Sequence, residues 1–122
     1  MSKNNGWIGF DLDGTLAFYD GWKGETHIGE PIKPIIAKVK EFLALGYEVK
    51  IFTARVAESE TNKDKSKHDI LAVTNAIQDW TEKHIGKRLE VTNKKDFQMI
   101  ELWDDRAIQV IPNTGERVDG KK

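Results

Sequence analysis

The sequence predicts one α/β domain, a parallel sheet flanked by helices in a three-layer α/β/α, Rossmann-like arrangement. Three observations carry that prediction. Short apolar runs alternate with helix-period stripes along the chain. The runs are largely apolar rather than strictly alternating, as in strands covered on both faces. Several of them end in polar residues, at the strand ends where open parallel sheets gather ligands. A chain of 122 residues has room for one core and not for two. Residues 1–122 therefore read as a single domain.

The first strand is Trp7 to Asp11. Asp11 and Asp13 close it, two residues apart. In extended backbone such residues face the same side, so both carboxylates are expected at one spot beyond the strand. Gly14 then permits a turn that a Cβ would hinder. Carboxylate oxygens are hard ligands suited to Mg²⁺, which commonly takes one or two carboxylates plus phosphate oxygens. One carboxylate beside such an ion can attack phosphorus while the second moves a proton to the leaving oxygen. The plainer reading of the pair is a turn and a helix cap.

Ala17 to Glu30 carries three glycines with Phe18, Tyr19 and Trp22. A turn and short hairpin are expected there rather than a helix. Pro31 and Pro34 open the first helix, since proline tolerates the first turn. Ile35, Ile36, Val39, Phe42 and Leu43 form its apolar stripe, and Gly46 ends it. Tyr47 to Phe52 is the second strand, with Thr53 at its carboxyl end. A hydroxyl there can donate to a phosphate oxygen without adding charge. Arg55 follows, suited equally to a bidentate phosphate or carboxylate contact or to a surface ion pair.

The run from Glu58 to Lys67 is polar and charged, as in a solvated loop or helix start. His68 to Ile85 has the longest helical pattern, with Ile70, Val73, Ile77, Trp80 and His84 on one face, Leu71 and Ala76 alongside, and Gly86 after it. Leu89 to Thr92 is a short third strand among Lys87, Arg88, Lys94 and Lys95. Met99 to Trp103 is the fourth, ending in Asp104 and Asp105. Adjacent acids at a strand end repel unless a cation or a lysine compensates them. Ala107 to Ile111 is expected as a fifth strand, and Glu116 to Lys122 as a loose tail.

The stretch Phe10-Asp11-Leu12-Asp13-Gly14-Thr15-Leu16 resembles motif I of the haloacid dehalogenase-like superfamily. Three later segments follow that family's order. Lys50 to Arg55 is similar to motif II, Asn93 to Asp96 to the lysine-bearing motif III, and Glu101 to Asp105 to motif IV. The resemblance runs from Trp7 to about Asn113. It implies a Mg²⁺-dependent phosphohydrolase acting on phosphomonoesters through an aspartyl phosphate. Asp11 would be the nucleophile and Asp13 the general acid and base. Asp11, Asp13 (through its carbonyl) and Asp104 would hold the metal. Thr53, Ala54 and Lys95 would hold the phosphate, with Lys94 as the alternative lysine. Gly14, Asp105 and Arg55 would support the site. Residues 17–30 would form a flap over it, from which Asp20, Trp22, Lys23 and His27 could reach substrate. The spaces after motifs I and II are too short for a cap domain.

Composition bounds the partners. A net charge of −1 gives no general pull to nucleic acid or membrane. The chain has no cysteine, so thiolate nucleophiles, thiolate metal sites and disulfides are excluded. No apolar run approaches the ~20 residues of a membrane span, and the start lacks an apolar leader core. A cytoplasmic protein acting on a small phosphorylated substrate is the expectation. A nucleic-acid 3′-end phosphatase is the second reading, through Lys87, Arg88 and Trp22. A non-catalytic phosphate-binding or assembly protein is the third. The oligomeric state and the particular substrate are not encoded in residue spacing.

Overall fold

The computed structural model describes residues 6–57 and 67–120. The polar run expected as a loop lies mostly outside them, as do the first five residues and the last two. Four strands form one parallel sheet: β1 Trp7–Asp11, β2 Glu48–Phe52, β3 Glu90–Thr92 and β4 Met99–Trp103, in the order β3-β2-β1-β4. Helix α1, Lys33–Ala44, connects β1 to β2, and α2, Lys67–Ile85, precedes β3. This is an α/β fold consistent with a Rossmann-like arrangement.

The helices form where the apolar period predicts. Pro34 sits in the first turn of α1, where a missing N–H costs nothing. Pro31 lies just ahead of the helix, bridged to Ala17 rather than opening it. Gly46 and Gly86 follow the two helices at positive φ, and the Gly86 N–H closes on the Thr81 and Glu82 carbonyls. Ile36 and Val39 of α1 and Val73, Ile77 and Trp80 of α2 pack on Ile8, Phe10, Val49 and Ile51. Leu71, expected beside that stripe, is instead exposed. Phe10 stacks on Trp103 at 5.4 Å between ring centroids, which ties β1 to β4 through the core.

Two expectations need correction. Helices were expected on both sheet faces, but α1 and α2 touch each other and share one core cluster. Both crossovers step in the same direction, and right-handed crossovers then put both helices on one face. The other face carries Trp7, whose ring lies against Gly9 and under the Lys50 ammonium. The Trp7 indole N–H donates to Asp96 Oδ1 at 2.9 Å, and that bond holds the 93–98 connection beside β1.

The fifth strand is also not found among the described residues. Residues 107–111 are exposed, and Val110 makes an isolated antiparallel bridge with Arg117. Ile111 and Val118 donate to the Glu116 and Gln109 carbonyls, so the segment folds back on itself. A parallel neighbour for β4 needs a crossover of about a dozen residues. Only Asp104, Asp105 and Arg106 separate the two segments.

Candidate active site

Register brings the site together. Asp11 pairs with Phe52, and Phe10 pairs with Trp103. Thr53 and Asp104 are each the next residue on their strands. Asp11, Thr53 and Asp104 therefore meet at the carboxyl edge of three adjacent strands. They line one cavity of about 480 Å³ with Asp13, Ala54, Arg55, Asp105 and Arg106. Tyr19, Trp22 and Glu25 reach the same cavity from the expected flap, and Phe52 from β2.

The chain does not stay extended after Asp11. The Leu12 carbonyl accepts from the N–H groups of Leu16 and Ala17 at 3.0 and 2.9 Å, and the Leu12 side chain is fully buried. That turn gives the two carboxylates, which line one cavity, different partners. Asp11 joins Asp104 and Asp105, each offering an oxygen within 4.8 Å of the others. The Asp13 carboxylate instead accepts from Arg55 Nε and Nη2, both at 2.8 Å. Arg55 thus makes the bidentate carboxylate contact, one of the alternatives that the sequence left open, and it is buried rather than on the surface. The Gly14 N–H is bonded to the Ala17 carbonyl at 2.8 Å.

Gly14 has a second reason to be glycine. Its φ is +87°, and a Cβ there would stand 2.6 Å from Asp105 Oδ2. The backbone turn therefore passes directly under the acidic cluster. Thr15, unassigned from sequence, belongs to the cluster too. It is buried, and its hydroxyl lies 3.5 Å from both Asp11 Oδ2 and Asp105 Oδ1. Its place directly after Gly14 is the only sequence signal for that role. Asp104 Oδ1 accepts the Arg106 N–H at 2.7 Å, which fixes the carboxylate orientation.

The three acids shape one another's charge. Burial pushes the Asp11 carboxyl up from an ordinary 3.8 to about 7. A hydrogen bond with Asp105 and the charges of Asp104 and Asp105 act in the same direction. Three close carboxylates favour a proton or a cation among them. Thr53 is buried, and its hydroxyl oxygen accepts the Arg55 N–H at 3.2 Å. That leaves the Thr53 O–H free to donate into the cavity.

Neither candidate lysine lines this cavity. Lys94 and Lys95 are exposed, and Lys95 borders a neighbouring concavity with Ile100, Glu101 and Trp103 that shares Asp104. Among the described residues, the cationic ones lining the main cavity are Arg55 and Arg106. Of the flap residues, Trp22 lines it, while Asp20, Lys23 and His27 line a smaller adjoining pocket. Lys87 and Arg88 lie by the amino ends of β2 and β3, away from the acids, and Arg88 pairs with Asp79.

Comparison of the chain with protein-family models, and with curated proteins, returned no match. Among the described residues no helix is long and apolar enough to cross a membrane.

Proposed function

We propose that the chain is a Mg²⁺-dependent phosphomonoesterase with a haloacid dehalogenase-like architecture and no cap domain. The observation that carries this reading is the convergence of Asp11, Asp104 and Asp105 at one strand edge, beside the Thr53 hydroxyl. Three hard oxygen donors within a few ångströms of one another suit a small divalent cation. The set extends the expected one, because Asp105, expected only in support, stands among the three acids. When bound, the ion would neutralise phosphate oxygens and the crowded carboxylates.

In this reading an Asp11 oxygen attacks phosphorus, and the P–O bond to the leaving group breaks. Thr53 donates to a phosphate oxygen, and Arg106 offsets its charge from the rim. Asp13 gives a proton to the leaving oxygen. It later takes one from the water that hydrolyses the Asp11 phosphoester, releasing inorganic phosphate and restoring Asp11. For the first of these steps the Asp13 carboxylate has to leave Arg55 and take up a proton from solvent before it meets the leaving oxygen.

The test is a panel of phosphomonoesters assayed for released phosphate with Mg²⁺ and with EDTA. Release that needs Mg²⁺ and disappears in Asp11→Asn supports the reading. Release unaffected by full chelation overturns it. A non-catalytic phosphate binder is the second reading, favoured by the absence of a lysine among the described residues lining the cavity. Mg²⁺ binding without turnover across the panel would select it. The nucleic-acid reading loses its basic patch, since Lys87 and Arg88 lie at the other strand ends.

A further inference from the structure

Arg55 belongs to a short 3-10 turn, Ala54–Val56, directly after β2. Its side chain is only 6 % exposed. Guanidinium presents a planar, fixed set of N–H donors, and two parts of the chain occupy different edges of it. Nε and Nη2 grip both oxygens of Asp13. Nη1 donates to the Glu25 carbonyl at 2.8 Å and reaches the Gly24 carbonyl at 3.5 Å. The face of the group lies 5.1 Å from the centroid of the Trp22 ring, within cation–π range.

The flap is fastened differently at its two ends. Its base is held by backbone bonds from Phe18 to Glu30 and from Ile32 to Leu16, and by the Trp80 indole N–H on the Gly29 carbonyl. Toward the tip, Arg55 donates to the Gly24 and Glu25 carbonyls. Trp22 stays 59 % exposed while lining the cavity with the acids. A large ring held on one side and open on the other is a wall available to a ligand.

We propose that Arg55 is a positioning residue: it pins the flap tip to Asp13 and fixes Trp22 as the surface against which the leaving group of a phosphomonoester rests. The ligand in this statement rests on the phosphomonoesterase reading; the pinning does not. The leaving groups favoured by such a wall are flat and aromatic, because an indole face gains most from an aromatic partner. Moving the Asp13 carboxyl toward a leaving oxygen releases one edge of Arg55. Loosening of the flap and use of the general acid are then a single linked event.

Hydrogen exchange on the full chain reads the pinning without any turnover. Arg55→Gln is expected to speed exchange of amides between residues 20 and 27 by about tenfold, with β1 and β2 unchanged. Arg55→Lys, which keeps the charge but not the fork, is expected to recover only part of the protection. Unchanged flap exchange in Arg55→Gln, or full protection in Arg55→Lys, overturns the proposal. Kinetics supply the second readout. Trp22→Ala, at an exposed residue, is expected to raise KM for 4-nitrophenyl phosphate about tenfold while methyl phosphate changes little. Equal change for both esters overturns the leaving-group role. A flap that loosens in a chain that hydrolyses neither ester keeps the pin and discards the phosphomonoesterase reading.

Discussion

Replacing Asp11 by asparagine should stabilise the metal-free protein above neutral pH. The carboxyl is raised from 3.8 to about 7, first by burial and then by Asp105 and Asp104. Between those two values the native chain holds a proton that the unfolded chain has lost. Stability therefore falls as pH rises through that window, and the cost is complete above about pH 7. At about 1.4 kcal/mol per pH unit the upper bound is ~4 kcal/mol. Water reaching the partly exposed cluster screens it, so ~1–2 kcal/mol is the working figure. Asparagine keeps the shape and removes the charge. The assay is thermal unfolding in EDTA across the pH range. At pH 8 the variant should melt about 5 °C above the parent, and at pH 4 the two should coincide. Saturating Mg²⁺ should reverse the order, since a cation at 100 times its Kd adds about 2.7 kcal/mol to the parent alone. A variant that melts at or below the parent in EDTA at pH 8 would refute the argument that these acids repel.

Three further outcomes follow from the same geometry. Gly14→Ala should abolish Mg²⁺ binding measured by calorimetry and cost about 1–3 kcal/mol in unfolding experiments, because a Cβ meets Asp105 at positive φ; retained affinity would sink this. Asp104→Asn should weaken Mg²⁺ at least tenfold and leave the fold intact, as read by binding and circular dichroism; unchanged affinity would exclude Asp104 as a ligand. The Trp7 indole N–H holds the Asp96 carboxyl below its usual range. That contribution is present above the ordinary carboxylate range and lost as pH falls through the lowered value. Asp96→Asn should therefore lower Tm near neutrality and match the parent in acid; a gap that persists in acid counts against it.

The sequence made the sheet legible because each strand carries its own signal. Apolar runs ending at Asp11, Phe52 and Trp103 sit side by side in register, which brings Asp11, Thr53 and Asp104 to one edge. Helix stripes and the closing glycines Gly46 and Gly86 are local features, and they held. What was not legible depends on the path of the chain between elements. Ala107 to Ile111 has a strand's composition, yet three residues cannot carry it across β4. Lys94 and Lys95 sit on a connection whose course no periodicity describes. The bond of Arg55 to Asp13 spans 42 residues, and nothing local in either segment announces it. The turn at Leu12 was hidden by reading Asp11 and Asp13 as one extended strand. Asp105, next to Asp104 after β4, completes the cluster with Asp11, while the Asp13 carboxylate goes to Arg55.

Strand β1 is made first and pairs on both edges, with β2 on one side and β4 on the other. One flank can be satisfied within about fifty residues of synthesis, but the other waits for residues 99–103. Contacts between such distant segments form slowly, because a long loop must close before they are rewarded. During translation, β1 therefore keeps one row of amides and carbonyls open until residues 99–103 have been made and reach it. Asp104 and Asp105 arrive with that last strand, so an ion drawn to them would report on a finished sheet and never on a nascent one.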